Sequence, residues 1–145
     1  MKFIKFLTIA FTLSMAVHSF SQNCENEYLD TCKRHLSEDH FTFLKSYSLS
    51  NLRGEHTKYE YSYMLLSGKK YEYYFEGYRE GGQDIIATLY DPKHKAVATS
   101  RHHDMFEHRL VFDCRERGIY YIEFTFKDEN VFCGTASLGF SSKAD

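Results

Sequence analysis

The stretch RHHDMFEH sets His102, His103, Asp104, Glu107 and His108 close together, with His94 shortly before them. Imidazole nitrogens and carboxylate oxygens are the donors that zinc and copper take. The spacing matches no defined metal motif, and the same residues read equally as a solvated polar loop. A second arrangement is a calcium site. Asp84, Asp91 and Asp104, with Glu80 and Glu107, fall in segments that could share one end of a β-sandwich. Calcium takes roughly six to eight oxygens, mostly carboxylates and carbonyls from neighbouring loops. Asp91 precedes Pro92 and has a simpler role there, because aspartate favours the first position of a turn. No obligatory cofactor is expected, with calcium or zinc as the alternative.

Sulfur offers the next chemistry. The four cysteines are Cys24, Cys32, Cys114 and Cys133, and no pair has the C-x-x-C spacing of a zinc knuckle or a thioredoxin-type site. An even number in an exported chain favours disulfides. On one helix Cys24 and Cys32 share a face but stand about 12 Å apart, too far to bond each other. Whether either is bridged elsewhere stays open. The bridge expected is Cys114–Cys133, which would close a loop of about 18 residues and contribute roughly 3 kcal/mol.

Nucleophilic and acid–base catalysis find little support. There is no Gly-x-Ser-x-Gly motif. Glu72 and Glu76 alternate with rings in a way that places both on an outward, solvated strand face. The sequence therefore reads as a non-enzyme. Its aromatic excess is the functional lead: Tyr74, Tyr78 and Tyr121 fall opposite the expected core registers. Exposed tyrosines stack on sugar rings or anchor a protein partner, unless a further layer covers them.

The compartment follows from the first residues. Lys2 and Lys5 precede an apolar run from Phe6 to Val17, and small residues stand three and one positions before a cut after Ser21. This predicts a signal peptide over 1–21, too short in its apolar core to span a membrane, and a secreted or periplasmic product. Loss of the two lysines takes the formal charge from −2 to −4. Nothing forms the basic stripe that nucleic acid requires, and no transmembrane segment is expected.

Residues 22–40 predict one short helical segment, with Cys24, Tyr28, Cys32 and Leu36 on one face and its acids ahead of its bases. From Phe41 the period changes to two, so 41–145 predicts a single β domain. Tyr59, Tyr61, Tyr63 and Leu65 alternate with polar residues, as do Tyr71, Tyr73 and Phe75, then Tyr120, Ile122, Phe124 and Phe126. About eight strands separated by turn signals predict an antiparallel, jelly-roll-like β-sandwich. Arg115 to Gly118 forms a polar corner, with Gly118 expected at positive φ. A corner that passes between sheets allows the Cys114–Cys133 bridge, whereas an ordinary hairpin forbids it.

The segments LLSGKKYEYYFEG, QDIIATLYDPKHKAVATS and RGIYYIEF make the region from about Tyr59 to Phe140 resemble the secreted bacterial pre-peptidase C-terminal type of β-sandwich. The eukaryotic GOLD domain is similar in the same places. The resemblance implies a jelly-roll-like fold and a non-catalytic accessory or binding module of exported proteins, with a carbohydrate or an envelope protein as partner.

Overall fold

The computed structural model describes residues 20–50, 58–77, 85–103, 105–126 and 133–142, with helix side chains described at Asn26 and from Tyr28 onward. Nearly all of the expected leader lies outside this set. So do Tyr78, Glu80, Asp84 and Asp104, and the side chain of Cys24.

Among the described residues a helix, α1 (Phe20–Glu38), precedes ten strands: β1 (Thr42–Ser48), β2 (Lys58–Leu65), β3 (Lys69–Gly77), β4 (Ile85–Tyr90), β5 (Ala96–Thr99), β6 (Arg101–His102), β7 (Met105–Phe106), β8 (Arg109–Cys114), β9 (Gly118–Phe126) and β10 (Gly134–Ser141). Sheet I has the order β1-β10-β3-β8 and sheet II the order β2-β9-β4-β5. The short strands β6 and β7 form a separate ribbon inside what the sequence presented as a polar loop. Every pairing is antiparallel.

The pairs nest. The first long strand joins the last (β1–β10), the second joins the next to last (β2–β9), and β3–β8 and β4–β5 complete the set. A long hairpin wrapped on itself gives this jelly-roll-like order. The expected sandwich is thus present.

Two-residue alternation explains the core. Tyr71, Tyr73 and Phe75 of β3 face Ile85, Ala87 and Leu89 of β4 and Tyr120, Ile122 and Phe124 of β9 across the gap between sheets, and all nine are buried. Tyr59, Tyr61 and Tyr63 of β2 line the same core from one edge. The hydroxyls of Tyr59 and Tyr61 donate to the carbonyls of Ser50 and Ser48, so these rings reach the core rim without orphaning a polar atom.

The helix lies on the outer face of sheet I, against β10, β3 and β1. It ends in a Schellman-type cap: His40 adopts φ 63°, His40 N–H donates to Ser37 O, and Phe41 N–H donates to Leu36 O at 2.7 Å. The accompanying apolar contact between Leu36 and Phe41 sits directly on Gly139. A Cβ there would lie 3.0 Å from both side chains, so the glycine admits the helix end.

Arg115 to Arg117 carries the chain from β8 in sheet I to β9 in sheet II, the crossing that the sequence suggested. The bridge made conditional on it does not form. Cys114 is a free thiol and Cys133 is the half of a disulfide whose other half lies outside the described side chains. The reason is strand direction. Cys114 pairs with Lys69 at the start of β3, whereas Gly134 pairs with Gly77 at its end. A nine-residue strand separates the two sulfurs, roughly 26 Å at 3.3 Å per residue. Gly118 also departs from expectation. Among the described glycines only Gly68 has positive φ. Gly118 is needed for space instead, since a Cβ on it would stand 2.5 Å from Pro92 Cγ.

Candidate binding face

With α1 over sheet I, the outer face of sheet II is left open by the described elements. Across it, register aligns Tyr90 with Tyr121 and Ser62, and Thr88 with Glu123 and Glu60. The β4–β5 turn leans over this face: His94, at φ 57°, stacks on Tyr121 with ring centroids 4.2 Å apart. Glu123 Oε2 accepts from Lys58 Nζ at 3.0 Å, and its Oε1 accepts from Tyr90 Oη at 3.5 Å. The face therefore joins a three-ring patch (Tyr90, His94, Tyr121) to a charged pair that still presents hydrogen-bonding capacity to solvent. Tyr121 was expected to face outward, and it does, half-buried by His94.

Tyr74 does not share that face. It is buried under α1, stacked on His35 at 4.4 Å, and its hydroxyl donates to Glu76 Oε1 at 2.9 Å. It is unavailable to a ligand. Burial, followed by the Glu76 carboxylate, holds its hydroxyl pKa well up. Glu72 was read as solvated and is likewise covered. It is fully buried, neither oxygen has a hydrogen-bond partner, and burial pushes its pKa up to about 7.

The residues considered for metal do not converge among those described. No three His, Cys, Asp or Glu side chains gather in a metal-holding group there. The Asp91 Oδ1 accepts from the N–H of Lys93 at 2.8 Å and of Lys95 at 2.9 Å, so it builds the β4–β5 turn. His102 and His103 are exposed, while His108 is half-buried with Nδ1 unpartnered. The thiols are poor nucleophiles: burial pushes Cys32 up to about 12 and raises Cys114 as well.

Two cavities that no local pattern of residues signals run along the other side of the sandwich, where the edge strands β5 and β8 meet. One, of about 460 Å³, has Pro92, Val97, Phe112 and Tyr120 among its walls. The other, of about 420 Å³, is walled by Val97, Ala98, Leu110 and Val111 among others. Val97 borders both.

No protein-family model and no curated protein sequence matches the chain. Among solved structures it is similar to the crystal structure of Aeromonas hydrophila PliG, described as a periplasmic lysozyme inhibitor of g-type lysozyme. The two share 9% sequence identity, the match covers 70% of this chain and 86% of that one, and the TM-score is 0.47. So distant a likeness carries no inference about what this chain binds.

Proposed function

We propose that this protein is an exported, non-catalytic binding module that takes carbohydrate on the open face of sheet II. The observation that carries the reading is the asymmetry of the sandwich. Helix α1 covers the aromatic outer face of sheet I, while the described elements leave the Tyr90–His94–Tyr121 patch of sheet II open beside Glu123 and Lys58. Sugars present apolar C–H faces ringed by hydroxyls, and a ring patch bordered by a carboxylate and an ammonium suits both.

Titration of soluble cell-envelope glycans against the isotope-labelled protein tests the reading. Amide shifts should cluster on β9, β4 and the Asp91–Lys95 turn, and Tyr121→Ala should abolish them while leaving the melting temperature within a few degrees. Shifts elsewhere, or none, would remove carbohydrate as the ligand. An envelope-protein partner would then be left as the occupant of this face, and Tyr121→Ala should weaken its binding.

A further inference from the structure

Strand β8 ends sheet I, and no described strand pairs with its outer edge. A sandwich has four edge strands, and here these are β1, β8, β2 and β5. Exposed edges invite further pairing unless they are blunted by charge, by a bulge or by shortness. Strand β1 carries a bulge at Leu44 beside Lys45. Strand β5 has only four residues and a register shift. Strand β2 opens with Lys58 and Glu60, both exposed. Strand β8 has six residues in unbroken register with no bulge, lysine or proline, and its two charges, Arg109 and Asp113, flank the apolar run Leu110–Phe112.

Its unpaired groups can be placed. Phe75 N–H donates to His108 O at 2.9 Å. In an antiparallel ladder hydrogen-bonded pairs alternate with non-bonded ones. Leu110 and Phe112 therefore bond to β3, while the N–H and C=O of Val111 and Asp113 point away from it. Leu110 and Phe112, two residues apart on the inner face, each wall one of the two cavities. A strand laid along β8 sends alternate side chains inward at the same spacing, about 7 Å. The cavities thus stand where two side chains of an added strand would fall, on either side of Val97, which is itself 40% exposed.

Charge fixes the occupant further. At the Phe112 end Asp91 is held by its own turn and Asp113 lies opposite Lys70 in register. That leaves Lys93 and Arg115, both exposed, against Glu116 and the turn-bound Asp91, a balanced set whose cations are open to a carboxylate. At the Leu110 end Arg109 is taken by Asp39 at 2.8 Å, leaving Glu107 as surplus negative charge.

We propose that β8 receives an extended peptide of another protein as a fifth strand of sheet I, with two apolar side chains at alternate positions entering the cavities beside Val97, an acidic residue toward Lys93 and Arg115, and a basic residue toward Glu107. Backbone pairing supplies affinity in this mode, and the side-chain pockets supply selectivity.

The probe is the acetylated, amidated peptide Glu-Thr-Val-Thr-Val-Thr-Lys, at about 1 mM to catch weak binding. Hydrogen exchange at the Val111 and Asp113 amides should slow at least about tenfold when it is bound, because a solvent-facing N–H becomes a ladder donor. Val111→Pro removes one edge donor without breaking a bond to β3. Val97→Asp puts a charge between the cavities at an exposed site. Each should weaken binding by about tenfold or more, and the second controls for any unfolding caused by the first. The charge-reversed peptide should bind more weakly. The proposal is overturned if the probe leaves both amides unchanged, or if it binds both variants as it binds the parent. It is also overturned if the amides slow with protein concentration alone, which would assign the edge to a second copy of this chain.

Discussion

Glu72 Oε1 lies 3.7 Å from Arg109 Nη1, too far for a hydrogen bond, while the guanidinium is held at 2.8 Å by Asp39. Among the described residues, the cation beside this buried carboxyl is therefore committed to another acid. Burial raises the Glu72 pKa to about 7, Arg109 offsets part of that rise, and Asp39 adds to it. The folded state holds this proton more tightly than the unfolded chain does. The resulting stability is complete below about pH 4.5, and it is lost as pH climbs through about 7. The shift corresponds to at most about 3 kcal/mol. Glu72→Gln should accordingly be more stable than the parent at pH 8.5, by about 1–3 kcal/mol, and should lose that advantage near pH 4.5. Urea midpoints of both proteins across this range measure the difference. A gap that does not change with pH would mean that Glu72 is already ionised in the fold.

The approach of Gly118 to Pro92 yields a packing prediction. A methyl group at 118 meets Pro92 Cγ at 2.5 Å, and a proline ring cannot swing aside as a long side chain would. Gly118→Ala should destabilise the protein by about 1–3 kcal/mol. Adding Pro92→Ala should recover much of that loss, a coupling expected for residues in contact. Additive losses in the double variant would show that the cost of Gly118→Ala arises in the backbone and not from the ring.

Strand alternation made the sandwich legible. The faces of β3 and β9, the tyrosines of β2 and the crossing at Arg115–Gly118 all follow from which residues share a side. Alternation cannot say which side a third layer covers. Tyr74, Glu72 and Tyr121 are all opposite the core in register, yet the first two are buried on the side that α1 covers, while the third keeps a half-exposed ring stacked on His94. The helix stripe of Cys32 and Leu36 showed that something apolar must meet it, but no local pattern named sheet I. The cysteine pairing failed through direction: a crossing corner fixes the sheet that β9 joins, and the nine residues of β9 then carry the chain to the far end. The cavities beside Val97 were invisible because they lie between the edges of two different sheets, and alternation does not say which edges meet.

The thiols offer the last test, and it bears on both the fold and the redox reading. Cys32 sits on the sheet-facing side of α1, its Sγ donating to Thr135 O at 3.6 Å, and Cys114 Sγ donates to Glu116 O at 3.1 Å. Both are buried, and burial raises both thiols, Cys32 from 9.0 to about 12. Because the thiolate is the reacting species, three units cut its population at neutral pH about a thousandfold. Iodoacetamide should therefore label neither residue in the native protein. In guanidinium without reductant it should label both, and Cys133 should become reactive only after reduction. Peptide mass mapping of the two labelled states decides it. A fragment joining Cys114 to Cys133 would restore the bridge that strand direction forbids, and with it a different path for β9. Rapid native labelling of Cys32 would instead show that α1 does not stay seated on sheet I, leaving Tyr74 and Glu72 open to solvent.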